Sequence, residues 1–152
     1  MTHHRSLIRQ TAVDVIAAAA TYAGTNVHNS RVRDMVLPAI TVFTDPDELG
    51  EDGQVLQPWN TRQIRNLILR VEMRAAETIV ARVHDLIDRM EEEVSRALYA
   101  DLGFNGLLEQ QVIWTGAEFE FADEGDRQVG VNVTSFLCRY RVDAADPITG
   151  VD

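Results

Sequence analysis

Two groups of residues in this sequence have types and spacings that could support chemistry. His84 precedes Asp85 and lies one helical turn from Asp88, and a histidine among carboxylates can act as a base or bind a metal. Glu118 and Glu120 lie on the same side of a predicted strand, where they could serve as acid and base. Because the aspartates have arginine partners at helical spacing, we interpret the histidine group as a solvated helix flank, and no motif specifies a substrate pocket around the two glutamates.

The remaining candidates also fit structural roles. Cys138 alternates with Phe136 and Tyr140, which places the thiol among core-facing residues. The consecutive glutamates at 91–93 point about 100° apart on a helix and cannot converge on one ion, so we interpret them as a solvated face. The sequence contains no phosphate-binding loop, dinucleotide fingerprint or nucleophile elbow. We therefore expect no catalytic residue, no bound metal and no cofactor.

The composition is that of a globular protein with an acidic surface. The chain has 152 residues, 45% hydrophobic and 25% charged, and fits a single domain over residues 1–152. Its 24 acidic and 14 basic residues give a net charge of -10, and every basic residue is arginine. Proteins that bind nucleic acid usually have an excess of basic over acidic residues, so we expect no general DNA binding. With short apolar runs and one cysteine, the sequence predicts a non-membrane protein without disulfides, assembled inside the cell.

Apolar periodicity predicts two main helices. Residues at spacings of three and four form one stripe over 7–22, with Gly24 as the C-cap. A second stripe runs over 79–98, and that helix is expected to end near Gly103. Spacings of i,i+4 on its solvent side predict two ion pairs, Asp85–Arg89 and Glu92–Arg96.

Four strands follow from β-branched runs and alternating polarity, at about 39–44, 62–75, 111–121 and 131–142. In the last of these, apolar residues are odd-numbered up to Val133 and even-numbered from Phe136, so either a bulge lies there or the strand starts late. The order of elements predicts an α+β fold, a mainly antiparallel sheet of about four strands with two main helices packed on one face. Residues 143–152 are expected to form a loose acidic tail.

Two charged segments are candidates for an interface. A basic patch at 31–34 precedes the first strand, and the loop at 45–53 carries five carboxylates and no base. Complementary patches serve head-to-tail interfaces, which close into a ring when the rotation divides a full turn. Two ordinary solvated loops explain the same pattern, and both interpretations stay open at this point. The candidate residues for a subunit or tube interface are Arg31, Arg33, Asp34, Asp47, Glu48, Glu51 and Asp52.

With this order of elements, the chain resembles the tail terminators of long-tailed bacteriophages, of the lambda minor tail protein U type, or their equivalents in gene transfer agents. The resemblance covers approximately residues 5–142. It rests on the N-terminal helix, the patch at 31–34 leading into the run LPAITVF, the acidic loop, the long strand, the helix ending near Leu98 and a closing strand ending at Tyr140.

This resemblance implies a structural protein without enzymatic activity. It implies a homo-hexameric ring on the completed tail tube that stops polymerisation and presents the surface for head joining. The implied partners are further copies of the chain, the tail tube protein and a head completion or stopper protein, and there is no membrane partner. The implied location is the head-proximal end of the tail in the virion, after assembly in the host cytoplasm.

The acidic surface agrees with such a ring, because DNA must slide through the lumen without specific binding. We expect the 45–53 loop and the 123–126 turn at the lumen or at the tube-contacting face. Two alternatives stay open. One is a head completion or neck connector protein of similar size, and the other, of a different class, is a small ligand-binding or hydrolytic α+β domain that uses Glu118, Glu120 or His84.

Overall fold

The structure is a computed structural model that describes residues 4–30, 36–45, 48–49, 62–78, 82–101, 104, 106–124, 127–143 and 146–150. Within these residues it contains two helices, α1 (His4–Ala18) and α2 (Val83–Ala100). The strands are β1 (Val27–Asn29), β2 (Ala39–Thr44), β3 (Glu48–Leu49), β4 (Arg62–Ala76), β5 (Ile113–Glu124), β6 (Arg127–Asp143) and β7 (Asp146–Gly150). No helix of the described residues is long and apolar enough to cross a bilayer.

The strands form one mixed sheet. Its main path has the order β1-β2-β4-β6-β5, with β3 added to β4 and β7 added to β6. All pairs are antiparallel except β1 with β2. The predicted α+β class, the mainly antiparallel sheet and the two main helices are confirmed. The predicted number of about four strands is one short of the main path, because the three residues of β1 are too few to show an alternation of polarity.

Both helices pack on one face of the sheet, which we call the helix-covered face. Every second residue of β4 from Leu67 to Ala75 points into it, and these side chains are fully buried together with apolar residues of both helices. This cluster includes Ile8 and Ile16 of α1, Leu67, Leu69, Val71 and Met73 of β4, Ile87, Met90 and Leu98 of α2, and Phe136, Cys138 and Tyr140 of β6.

The alternation of β6 continues without interruption through the predicted phase slip. Its register with β4 is continuous from Arg62↔Asp143 to Ala76↔Val129, so the predicted bulge or late start of this strand is wrong. Instead, polar Asn132 and Thr134 take the core-facing positions, and their valine neighbours face the other way. Asn132 Nδ2 donates to Glu91 Oε2 at 3.0 Å, and this hydrogen bond satisfies one donor of the Asn132 amide in the core.

Helix α1 ends six residues before the predicted C-cap glycine. The chain leaves the helix at Ala18, and Ala20 adopts a positive φ of 50°. Beyond it, the Tyr22 backbone N–H donates to Glu93 Oε1 at 3.2 Å, so a contact with α2 replaces a further helical turn. Gly24 does adopt a positive φ, of 61°, but it lies in the following turn.

The range expected to be a loose tail contains β7. This strand pairs antiparallel with the end of β6 through Val142↔Gly150 and Asp143↔Asp146.

Helix α2 ends at Ala100, three residues before Gly103, where the sequence predicted its end.

Candidate interaction surface

The face of the sheet opposite the helices carries charged and half-buried side chains, and we call it the open face. The register of β2, β4, β6 and β5 places side chains of all four strands on it. Across its centre lie Phe43, Ile68, Arg70, Glu72, Arg74, Glu118, Glu120, Val131, Val133, Ser135 and Leu137. Its mixture of guanidinium, carboxylate and aliphatic groups differs from the apolar helix-covered face.

Arg70 organises the centre of the open face. Its Nε lies 2.8 Å from both carboxylate oxygens of Asp45, its Nη2 lies 2.7 Å from Asp45 Oδ2, and its Nη1 donates to Ser135 Oγ at 3.1 Å. The hydrogen bonds to Asp45 raise the pKa of Arg70 above its ordinary value, desolvation opposes them, and the charges of Asp45 and Glu118 add to the rise. The guanidinium is therefore fixed, cationic and bound on two sides.

A carboxylate is buried beside this arginine. Glu72 lies between Thr41 of β2 and Val133 of β6 in the register, and only 3% of the residue is exposed. Its Oε1 accepts a hydrogen bond from Arg74 Nη2 at 3.1 Å. A buried charged carboxylate needs a partner, so the contact with Arg74 offsets the cost of burying Glu72 and fixes the positions of both side chains on β4.

A shallow depression lies where β5 departs from regular pairing. The register of β5 on β6 shifts between Trp114 and Gly116, as a β-bulge does. Thr115 Oγ1 donates to the Ser135 carbonyl at 3.1 Å, which holds the irregular segment against β6. The depression has a volume of about 330 Å³ and is lined by Ile68, Arg70, Thr115, Gly116, Ala117, Glu118, Val133 and Ser135.

Strand β5 forms one edge of the sheet and exposes large apolar side chains there. Ile113 is 44% exposed, Trp114 48% and Phe121 46%. Tyr99 Oη accepts a hydrogen bond from the Trp114 backbone N–H at 2.8 Å, so the backbone beside the indole is held in place. Ile113, Glu118 and Glu120 lie on the open-face side of this edge and Trp114 and Phe121 on its helix-covered side, and we call these five exposed residues the β5 edge surface.

The opposite edge of the sheet is β1, which lies against α1. Arg9 Nε donates to Asn29 Oδ1, and Asn29 Nδ2 donates to Gln10 Oε1 at 2.8 Å. Leu7, 39% exposed, is one helical turn from Gln10. Val36, 77% exposed, adjoins the start of β1, because its carbonyl accepts a hydrogen bond from Asn26 Nδ2. Leu7 and Arg9, two positions apart on α1, point to different sides of the helix, so these residues do not form one surface at this edge.

The residues considered for catalysis do not come together. Glu118 and Glu120 share the open face, as predicted from their spacing. His84 lies behind β5 on the helix-covered side, where its ring stacks on Phe119 at 5.0 Å between centroids and meets Phe121 edge-on at 4.6 Å. Since Phe119 points away from the two glutamates on the same strand, the sheet separates the histidine from them. These three residues therefore do not form one site.

The other chemical candidates have structural partners. Cys138 is fully buried, as predicted, and burial raises the pKa of its thiol to about 12, which leaves it protonated at neutral pH. The predicted pair Glu92–Arg96 is present, whereas Arg89 pairs with Glu93 at 3.1 Å and not with Asp85. The glutamates at 91–93 were predicted to be a solvated face, but Glu91 and Glu93 bind Asn132 and the Tyr22 backbone.

Most of the predicted interface residues lie outside the described residues. These are Arg31, Arg33, Asp34, Asp47, Glu51 and Asp52. The backbone of Glu48 lies in β3, paired with Asn66 of β4. Asp45, which begins the same acidic loop, is the partner of Arg70. The sequence contains Asp45 and Arg70 only as separated charges, and the β2–β4 register that joins them is a tertiary feature.

Comparisons with known proteins give a distant structural likeness. No protein-family model matches the chain, and no curated protein sequence matches it. The structure is similar to a chain from the virion of a native gene transfer agent particle, at 13% sequence identity over 82% of this chain and 84% of that one, with a TM-score of 0.41. A likeness at that score assigns neither a fold family nor a function.

Proposed function

We propose that this chain is a structural virion protein. In the proposal, copies of it form a homo-hexameric ring at the head-proximal end of a tail tube. The ring ends polymerisation of the tube and provides the surface that joins the head. The chain has no enzymatic role in this proposal. Its partners are itself, the tail tube protein and the head completion or stopper protein, while DNA passes through the lumen unbound.

The observation that carries the proposal is the β5 edge surface. No described strand pairs with the outer side of β5, and its three large apolar side chains are 44–48% exposed, which fits an edge that meets another chain, while its carboxylates and its β-bulge limit which chain can pair there. The described candidates for catalysis, in contrast, are split between the two faces of the sheet. A protein whose function lies in shape and association explains both facts.

The charge of the chain supports the same role. A ring of six copies would carry six times the net charge of -10. Carboxylates near the lumen repel phosphates within a Debye length of about 8 Å at physiological ionic strength, whereas a lumen rich in arginine would hold the DNA. The acidic loop at 45–53 and the turn at 123–126 are proposed to face the lumen or the tube.

The test is assembly on tail tubes. Tubes of the particle whose genome encodes this chain are incubated with the purified protein and imaged by negative stain. We expect a ring at one end of each tube and no further elongation when tube protein is added. Density on isolated heads but not on tubes would instead identify a head completion or neck protein. Absence of density on both would overturn the proposal.

Charge reversal sharpens this test. Changing Asp47, Glu48, Glu51 and Asp52 to lysine is expected to abolish capping while the circular dichroism spectrum and the melting temperature stay near those of the wild type. The matched control reverses four exposed carboxylates elsewhere, Asp14, Asp85, Asp88 and Glu92, and so makes the same change in net charge. Normal capping by the loop variant, or equal loss in the control, would contradict a specific role for the loop.

A further inference from the structure

The outer side of β5 is a backbone edge that no described strand covers. The strand ends the main path of the sheet and pairs with β6 in a regular register from Gly116 to Glu124. On the other side of the β-bulge, the Trp114 N–H already donates to Tyr99 Oη at 2.8 Å. Because the N–H and C=O groups of successive residues point alternately to the two sides of a strand, the regular stretch presents a row of them to the outer side.

The side chains along this edge differ between its two sides. On the helix-covered side, Trp114 is 48% and Phe121 46% exposed, and the half-buried ring of Phe119 lies between them along the strand. On the open-face side, Glu118 and Glu120 are exposed. The whole strand contains four carboxylates and no basic residue. These carboxylates disfavour an acidic partner, while the aromatic side stays accessible to apolar contact.

The neighbouring flank of α2 holds this aromatic side in place. The ring of His84 stacks on Phe119 at 5.0 Å between centroids and meets Phe121 edge-on at 4.6 Å. Asp88, one helical turn from His84, is exposed and adds a carboxylate on the helix side of the sheet. A strand added beside β5 would therefore meet fixed aromatic rings on one face and carboxylates near both faces.

A second copy of the chain offers no described edge strand that complements β5. Antiparallel pairing of two β5 strands centred on Phe119 would place Glu118 of each copy opposite Glu120 of the other, and like charges directly opposite each other destabilise a strand pair. The other border strands of the described sheet, β1, β3 and β7, contain no lysine or arginine. The complementary strand must therefore come from a different protein.

We propose that the β5 edge binds an extended segment of another protein in which basic and apolar residues alternate. The segment adds a strand beside residues 117–122, with basic side chains opposite Glu118 and Glu120 and apolar side chains against Phe119 and Phe121. Main-chain hydrogen bonds supply the affinity, and the alternation supplies the specificity. This inference goes beyond the proposed function, because it depends on the edge alone and holds whether or not the chain forms a ring.

The test uses synthetic peptides and the full-length protein. The probe is a short fluorescent peptide in which lysine alternates with valine, and its control has the same residues with all lysines before all valines. Two further versions of the probe carry N-methyl groups on one or the other set of alternate residues. Each version loses the N–H groups along one edge of the peptide strand. Fluorescence anisotropy measures the affinity of each peptide.

We expect the alternating peptide to bind and the block peptide to bind at least about tenfold more weakly, since its charges and apolar groups no longer match those of β5. One N-methylated version should bind like the probe and the other should not bind, because only one edge of an added strand faces β5. No binding of the probe at millimolar concentration would overturn the proposal. So would equal binding of the two N-methylated versions, or equal binding of the probe and the block peptide.

Charge reversal locates the contact on the protein. The double variant Glu118→Lys with Glu120→Lys should bind the probe about tenfold more weakly or worse, with an unchanged circular dichroism spectrum because both side chains are exposed. The matched control, Asp14→Lys with Glu92→Lys, makes the same change in net charge on the two helices and should keep most of the affinity. Equal losses in the two variants would show that only net charge attracts the peptide, and the proposed edge contact would be wrong.

Two further measurements separate this inference from its neighbours. If the wild type self-associates in sedimentation velocity and only the β5 charge-reversal variant loses that association, the occupant of the edge is a second copy and the proposal is wrong. The capping assay contains no peptide and decides the proposed function by itself. A chain that binds the probe as expected but leaves tail tubes uncapped would retain the edge contact and contradict the proposed function.

Discussion

The two faces of the sheet are formed by the same strands but are stabilised by different interactions. On the helix-covered face, alternate residues are fully buried from Leu67 to Ala75 in β4 and from Thr134 to Tyr140 in β6, and burial keeps the thiol of Cys138 protonated at neutral pH. On the open face, the neighbouring residues of the same strands include Arg70 in a bidentate contact with Asp45, and about a third of each side chain remains exposed. Apolar packing determines the first face, whereas paired charges lie at the centre of the second.

The largest expected effect compares two adjacent residues of β6. Phe136 is fully buried on the helix-covered face, while Leu137 is half-buried on the open face. Phe136→Ala removes a ring from a close-packed cluster and is expected to lower the free energy of unfolding by about 3–5 kcal/mol. Leu137→Ala should lower it by about 1 kcal/mol, because the Leu137 side chain is already partly exposed to solvent in the folded protein. Chemical denaturation measures both, and equal losses would show that the open face is covered in the folded monomer.

The second prediction concerns how closely α2 approaches the sheet. A Cβ added to Gly130 would lie 2.2 Å from Val83 Cγ1, and valine is stiff at χ1. Gly130→Ala is therefore expected to destabilise the fold by about 1–3 kcal/mol through overpacking. The double variant with Val83→Ala should lose less than the sum of the two single losses, because removing the valine methyls makes room for the new Cβ. Strict additivity in thermal melts would contradict the close packing of α2 on this face.

These two faces also differ in how far the sequence predicts them. The alternation of β4 and the bounds of β2 follow from local patterns, since apolar residues recur at the period of a strand. Which residues of β6 lie on the helix-covered face does not follow from a local pattern, because Asn132 is polar and its partner Glu91 is distant along the chain. Likewise, the end of α1 depends on the contact of Tyr22 with Glu93 of the other helix. Tertiary hydrogen bonds decided these positions, and a single sequence does not display them.

The candidate surfaces follow the same division. The sequence predicts that Glu118 and Glu120 share a side of β5, because this needs only a period of two. Which side they share, and that His84 lies on the other, depends on where the helices pack. The exposure of Trp114 was not predicted, since an aromatic residue in a strand is as typical of a core as of an edge.

The third prediction uses pH to test the dryness of the helix-covered face. Burial raises the pKa of Cys138 from an ordinary 9.0 to about 12, so the unfolded chain loses this proton first. The protonated thiol's contribution to the free energy of unfolding is fully present below pH 9. It is lost as the pH rises towards 12, with a slope of about 1.4 kcal/mol per pH unit. The free energy of unfolding of Cys138→Ala should fall less steeply over this range. Parallel slopes for the two proteins would mean that the thiol is accessible to water.

The smallest expected effect lies on the open face, in the contact between Arg70 and Asp45. A double-mutant cycle with Arg70→Met and Asp45→Asn should give a coupling of about 0.5–1 kcal/mol, because both side chains are about a third exposed and water screens their charges. The matched comparison is Arg96 with Glu92 on α2, which is 78% and 65% exposed and should couple by about 0.3 kcal/mol.

Salt distinguishes a wet pair from a covered one. Both couplings should shrink as the ionic strength rises, since exposed charges are screened over about 10 Å at 0.1 M salt. A coupling of several kcal/mol for Arg70 with Asp45 that resists salt would show that this pair is desolvated in the monomer. The open face would then be a second core, and the contrast with the helix-covered face would not hold. If the large coupling develops only when the protein assembles, water leaves the pair at a subunit contact, and the open face contributes to the interface between copies.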